Sequence, residues 1–188
     1  RDAMAVITRN VIWNIEFLNN YTDKEKDNLG KYSSNLFTLN TFYSANKIIV
    51  GRTMKKNTEK FLMDFWATVV AHMAQWQELQ HKEITKVDLR EQYIATQSIV
   101  IQALGRLGNH FYYNSETDMH ECLKRLDDIN WNRSCKIWYL RAISATGRII
   151  TNKKAAMLIA NVLKEKMGLP LSKDEQKAEE TLKSTIGE

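Results

Sequence analysis

A single proline, Pro170, serves a chain of 188 residues, alongside only seven glycines. Sandwiches and barrels turn many times and draw on both residues to do so, which leaves helices as the way to use this length. Apolar residues recur at three and four along most of the chain. They make up 44% of it, with five tryptophans, enough for a sizeable core. The expected fold class is all-α, an irregular multi-helix bundle of about seven to eight helices forming one domain.

The periodicity predicts an amphipathic helix over 3–19, carried by Val6, Ile7, Val11, Ile15 and Leu18. Thr22 and Glu25 read as a capping box that opens a short helix to Gly30. Ser33 or Ser34 caps the next helix, which holds Leu36, Phe37, Leu39, Phe42, Tyr43 and Ile49 and ends near Gly51. A basic connector, 52–60, leads to the strongest stripe, from Thr58 to about Gln80, with Leu62, Phe65, Trp66, Val69, Met73 and Trp76. Thr85 opens a long helix to about Tyr113, and a shorter one follows from Thr117 to Leu126. Periodicity is poor over 127–150. It returns at 152–167, closed by Gly168 ahead of Pro170, and Ser172 with Glu175 caps a final charged helix to about Leu182. This divides the chain into a helical core bundle (1–126), a basic Trp/Arg-rich connector (127–150) and C-terminal helices (151–188) packing on the same core.

The charge is local. Residues 1–123 carry 14 bases and 14 acids, and residues 155–188 carry five against six. Between them lie eight bases (Lys124, Arg125, Arg133, Lys136, Arg141, Arg148, Lys153 and Lys154) against Asp127 and Asp128, a net of +6. Lys153 and Lys154 fall in the first turn of the 152–167 helix with Arg148 just ahead. Cations at that end oppose the helix dipole, a local conflict that tends to mark function. A helix N-terminus backed by these cations suits phosphate. Trp131 and Trp138, interleaved with Arg133, Lys136 and Arg141, have three roles open: stacking on arginine, anchoring a loop, or touching a base. The competing account is a solvated face whose bases pair with acids elsewhere.

Other chemistry finds little footing. His120, Cys122 and Cys135 are three potential ligands where a structural zinc site wants four, so no metal and no cofactor is expected. His81-Lys82-Glu83 mimics the H-x-E of zinc deaminases without the P-C-x-x-C that should follow. Gly105 to Gly108 spells the GxxG of KH domains, but within a helical pattern, where close helix–helix approach accounts for it better. The stretch from Tyr139 through Gly147 into the following helix can be read as a helix–turn–helix. Phe65, Trp66 and Trp76 are read as core rather than a ligand pocket. The carboxylates Asp23, Glu25, Asp27, Glu179 and Glu180 read as solvated faces. No catalytic set emerges, and the chain is not expected to be an enzyme. The longest apolar run, Ala155 to Ala160, is far short of a membrane span. With two cysteines, a disulfide framework is not expected, and a reducing cytoplasm is. A start at Arg1, with no leader, reads as a fragment or processed form of a longer protein.

The run LKRLDDINWNRSCKIWYLR at 123–141, continuing through Ala142, Gly147 and Arg148 to NKKAAMLIANVLKEKMGLPLSKDEQ at 152–176, resembles the bacterial DNA sulfur modification family DndB. The upstream pieces KYSSNLFTLNTFYSA (31–45) and LREQYIATQSIVIQALGRLG (89–108) fit the same pattern. The resemblance implies a protein of DNA phosphorothioation clusters, in which other members insert sulfur into the DNA backbone, with a DNA-binding, transcription-regulating role. It carries over Trp131, Arg133, Trp138, Arg141, Gly147 and Arg148, while Cys135, Tyr139 and Leu140 depart from the pattern. Members also carry a DGQHR motif in an N-terminal portion. It is missing here, so the resemblance implies the C-terminal part, with any catalysis belonging to the other portion.

The expected partner is therefore duplex DNA, contacted through the phosphates by the 124–154 stretch. The alternative is an interaction module docking on its own N-terminal portion or on another sulfur-modification protein. Oligomeric state stays open.

Overall fold

The computed structural model describes residues 2–30 and 33–187. Among them run ten α-helices: α1 (Ala3–Asn14), α2 (Glu16–Tyr21), α3 (Leu39–Val50), α4 (Thr58–His72), α5 (Ala74–Gln80), α6 (Lys86–Gln92), α7 (Ser98–Tyr113), α8 (Met119–Leu123), α9 (Lys153–Lys166) and α10 (Lys173–Ile186). Two two-residue strands, β1 (Thr22–Asp23) and β2 (Phe37–Thr38), pair in parallel. The all-α reading holds, with more and shorter helices than the periodicity predicts.

Each surplus break has a tertiary cause. The 3–19 helix divides at Ile15, whose extended backbone re-aims the chain so that Val11 and Ile12 before it and Phe17 and Leu18 after it are all buried. The 58–80 helix divides at Met73. This turns Trp76 inward to stack on Phe17, with 5.3 Å between ring centroids, and to donate its indole N–H to the Ala95 carbonyl at 3.2 Å. The 85–113 helix opens between Gln92 and Ser98, because that backbone is spent on a loop far along the chain: Ile94 donates to the Trp131 carbonyl at 2.9 Å, and Arg133 donates to the Gln92 carbonyl at 2.9 Å.

Two predicted starts fail. No helix runs from Thr22 to Gly30; the Asp23 carboxylate instead accepts the Glu25 and Lys26 N–H groups, each at 2.9 Å, and folds the chain into a turn. Ser33 and Ser34 do not cap α3. Phe37 and Thr38 are held in the strand pair, and Thr38 accepts the Thr41 N–H at 3.3 Å. The 117–126 helix is α8 plus a 3₁₀ turn at Lys124–Asp128, with Asp118 as its cap. The final helix carries the full capping box of Ser172 and Glu175.

The core is centred on α7, which packs against both α3 and α9. Gly105 and Gly108 make the first contact close. A Cβ at Gly105 would lie 3.0 Å from the Ala45 carbonyl oxygen, and one at Gly108 would lie 2.8 Å from Ile49 Cγ1 and 3.1 Å from Phe65 Cζ. The GxxG is thus a packing surface, as its helical context implied. Gly108→Ala is expected to destabilise by about 1–3 kcal/mol through overpacking, less up to ~1 kcal/mol regained in helix propensity; a thermal melt reads the balance. Phe65, Trp66 and Trp76 are buried in this core. The 127–150 stretch, read as a connector, contributes Ile129, Trp131, Trp138, Ala142 and Ile143 to it.

Candidate nucleic-acid interface

Residues 128–152 lack helical periodicity because loop hydrogen bonds organise them. Trp131 and Trp138 are both fully buried and stack on each other, 5.4 Å between centroids at 6°. The Trp138 indole donates to the Asn130 carbonyl at 2.7 Å, and the Trp138 carbonyl gathers the Arg141, Ala142 and Ile143 N–H groups at 3.2, 2.9 and 3.0 Å. Of the three roles open to the tryptophans, the structure selects loop anchor: neither ring can reach a base. The exposed aromatic on this loop is Tyr139, 47% accessible, which the sequence reading did not place among the contact residues.

After Trp138 the chain makes a tight hairpin. Ile143 bridges Ile149 antiparallel, Ser144 donates to the Arg148 carbonyl at 2.8 Å, and Ile150 donates to the Ala142 carbonyl at 2.8 Å. Gly147 sits in the turn at φ 84°, a backbone that side-chain-bearing residues rarely adopt. Gly147 is in a turn as predicted, but only a 3₁₀ turn at Lys136–Trp138 and this hairpin precede α9, so the helix–turn–helix reading is withdrawn.

The hairpin delivers Arg148 to the start of α9. There Asn152 accepts the Ala155 N–H on its side chain at 2.8 Å and the Ala156 N–H on its carbonyl at 3.3 Å. Lys153 and Lys154 fill the first turn, which contains no acidic residue. Both lysines and Arg148 are exposed, as is Lys136, and among the described residues none of these four has a carboxylate within ion-pair distance.

The other four predicted cations are engaged. Lys124 pairs with Glu121 at 2.8 Å and Arg125 with Asp128 at 3.7 Å, both at the surface. Arg133 is half-buried and donates to the Arg90 carbonyl at 3.4 Å, tying the loop to α6. Arg141 is the clear correction. It is 9% exposed, forks onto the Glu179 carboxylate at 2.6 and 2.9 Å, and donates to the Leu158 and Ile137 carbonyls at 2.8 and 3.1 Å. Four of its five N–H donors are thereby spent within the protein, and Glu179, read as a solvated carboxylate, is its partner.

A second ion cluster lies beside this pair. Glu175 on α10 meets Lys164 on α9 at 2.8 Å and Arg106 on α7 at 3.2 Å, while Asn161 on α9 donates to Glu179 at 2.9 Å. Burial alone would raise the Glu175 carboxyl; Lys164, the Ser172 N–H and Arg106 more than reverse this and hold it at about 2. Sequence reasoning missed Arg106, Asn161 and Lys164. The signal was Asn161, a polar residue in the apolar stripe of α9.

Among the described residues no group of three His, Cys, Asp or Glu side chains gathers as for a metal. Cys122 and Cys135 are unbridged, and His120 and His72 pair with Asp64 and Asp127 at 2.8 and 3.1 Å. No helix among these residues is long and apolar enough to cross a membrane.

The site is thus a tryptophan-anchored loop that presents unpaired cations at the positive end of a helix. In comparisons with known proteins, the family model described as DndB, DNA-sulfur modification-associated, matches residues 1–170. No curated protein and no solved structure matches the chain.

Proposed function

Because the chain belongs to the DndB family of DNA-sulfur modification-associated proteins, we propose that within such a system it binds duplex DNA through its phosphates and serves a regulatory role. The contact surface is Arg148, Lys153 and Lys154 at the α9 N-terminus, with Lys136 and the exposed ring of Tyr139 on the adjoining loop.

One observation carries this. The first turn of α9 holds two lysines and no acid, whereas the first turn of α10 holds Asp174 and Glu175, the arrangement a helix dipole favours. The same chain follows the electrostatic rule at one helix and breaks it at the other. The breach is stabilised once a polyanion sits there, since phosphate oxygens satisfy both the lysines and the open backbone N–H groups. Contacts of this kind set affinity and register without reading sequence.

Engagement of about four phosphates corresponds to a slope near −3.6 in log K against log salt. Arg148→Glu with Lys153→Glu is expected to weaken binding about tenfold or more and to flatten the slope by about 2. Lys124→Glu, at a cation already paired in the surface ion pairs, should change little. Fluorescence anisotropy on duplex DNA across salt measures all three. Equal affinity for wild type and the double variant would remove this surface from the mechanism.

A second reading, docking on another sulfur-modification protein, draws on α1. Val6 and Trp13, seven apart on one helical face, are 42% and 67% exposed. That mode predicts association that survives high salt and fails with Trp13→Ala, measured by light scattering with the candidate partner.

A further inference from the structure

The helix α10 is attached differently from the rest of the chain. Its buried apolar residues, Ala178 and Leu182, form a small cluster with Leu158 that is separate from the main core. The remaining attachment is polar: ion pairs from Glu175 to Lys164 and Arg106 and from Glu179 to Arg141, with the neutral Asn161 side chain donating to the Glu179 carboxylate and to the Glu175 carbonyl. The family match ends at residue 170, before this helix begins at Lys173.

The cations under α10 line up with the exposed ones. At 100° per residue, Lys154, Leu158, Asn161 and Lys164 share one face of α9. Arg141 binds the Leu158 carbonyl, and Arg106 approaches from α7 to the same Glu175 oxygen that Lys164 holds. The row starting at the exposed Lys154 therefore runs about 15 Å along α9 to Lys164, and roughly its last 9 Å, from Leu158, lies beneath α10. Its polar capacity is not exhausted: Arg106 Nε and Asn161 Oδ1 are buried without a partner among the described residues.

We infer that α10 is a displaceable cover, whose Glu175 and Glu179 carboxylates occupy places that nucleic-acid phosphates take when the helix lifts. A buried ion pair contributes little net stability, because desolvation offsets the Coulomb attraction. Exchanging a carboxylate for a phosphate on the same cations keeps that attraction and adds acceptor oxygens. The connector permits the movement: Gly168, at φ 71°, closes α9, Pro170 follows, and six residues separate the helices, an extended reach of about 20 Å. Lifting exposes Arg106, Arg141 and Lys164 and extends the phosphate-contacting row. This inference rests on the DNA-binding reading and adds an autoinhibited part to its surface.

The test uses the full chain. Glu175→Gln with Glu179→Gln removes both charges while leaving a glutamine able to complete the capping box. Asp174→Asn with Glu180→Gln makes the same change in net charge at exposed positions of the same helix. The first variant is expected to bind duplex DNA about tenfold more tightly than the second, with a salt slope steeper by about 2. Affinities within twofold of each other, with equal slopes, overturn the inference.

Hydrogen exchange on the wild type decides independently if the first variant misfolds. Saturating DNA should speed amide exchange across 173–186; unchanged or slower exchange overturns the cover. Loss of binding in the Arg148/Lys153 variant with α10 still protected on DNA would reject the cover alone. Release of α10 with that variant binding normally would reject the α9 terminus alone. Binding by neither wild type nor the Glu175/Glu179 variant rejects both.

Discussion

Trp138→Ala is expected to lower stability by about 3–5 kcal/mol, the range for truncating a fully buried large aromatic. In a chain of this size that corresponds to a melting temperature lower by roughly 6–20 °C, read by circular dichroism. The cost has three parts: the lost apolar transfer, the cavity left against Trp131, and the loss of the N–H that holds the Asn130 carbonyl. The neighbours Ile137 and Tyr139 are 44% and 47% exposed, and alanine at either should stay within about 0.5 kcal/mol. The contrast separates the two roles open to this loop's aromatics. A tryptophan that stacked on bases would cost affinity without stability. Trp138→Ala should instead shift the melt of the whole chain, and Trp138→Phe, which keeps a buried ring, should keep DNA affinity. A wild-type melting curve for Trp138→Ala would show that the stack is not part of the core.

Asn46→Ala should be nearly as damaging, for a different reason. Asn46 is fully buried on α3, where its side-chain N–H donates to the Thr8 hydroxyl at 2.9 Å and its carbonyl oxygen accepts the Trp66 indole N–H at 2.7 Å. It joins α1, α3 and α4 at one point. Truncation leaves two buried polar groups unpaired, each costing about 1–3 kcal/mol, in addition to the cavity. Asn46→Ala with Thr8→Val should be less than additive, because the second change removes one of the stranded groups. Denaturant unfolding of the two single variants and the double measures the coupling. Strict additivity would mean that the bond across α1 and α3 contributes nothing.

Residue patterns made much of this fold legible. Periodicity located the α3, α4, α7 and α9 stripes, because a helix that buries one face must repeat near 3.6 whatever lies opposite. Both ends of α9 and the start of α10 were readable from Thr151 or Asn152 (the cap is Asn152), Gly168, Ser172 and Glu175, since capping is settled within four residues, whereas α10 runs on to Ile186, past the expected end near Leu182. Helix continuity was not readable. Ile15, Met73 and the 93–97 segment suit a helix locally, and partners far away in sequence interrupt it.

The candidate site divides along the same line. The order of residues placed the +6 excess in 124–154 and set Lys153 and Lys154 against the α9 dipole, because local charge and position after a cap are read directly along the chain. Which of those cations face solvent was decided by packing. Arg141 looks like Arg148 in the sequence, yet it is buried against Glu179, a carboxylate on a helix that follows α9. Trp131 and Trp138 leave stacking on arginine, anchoring a loop and touching a base all open in the sequence, until the loop closes and stacks them. Charge is additive along a chain, whereas burial and pairing are properties of which distant segments meet, and only the folded arrangement specifies those.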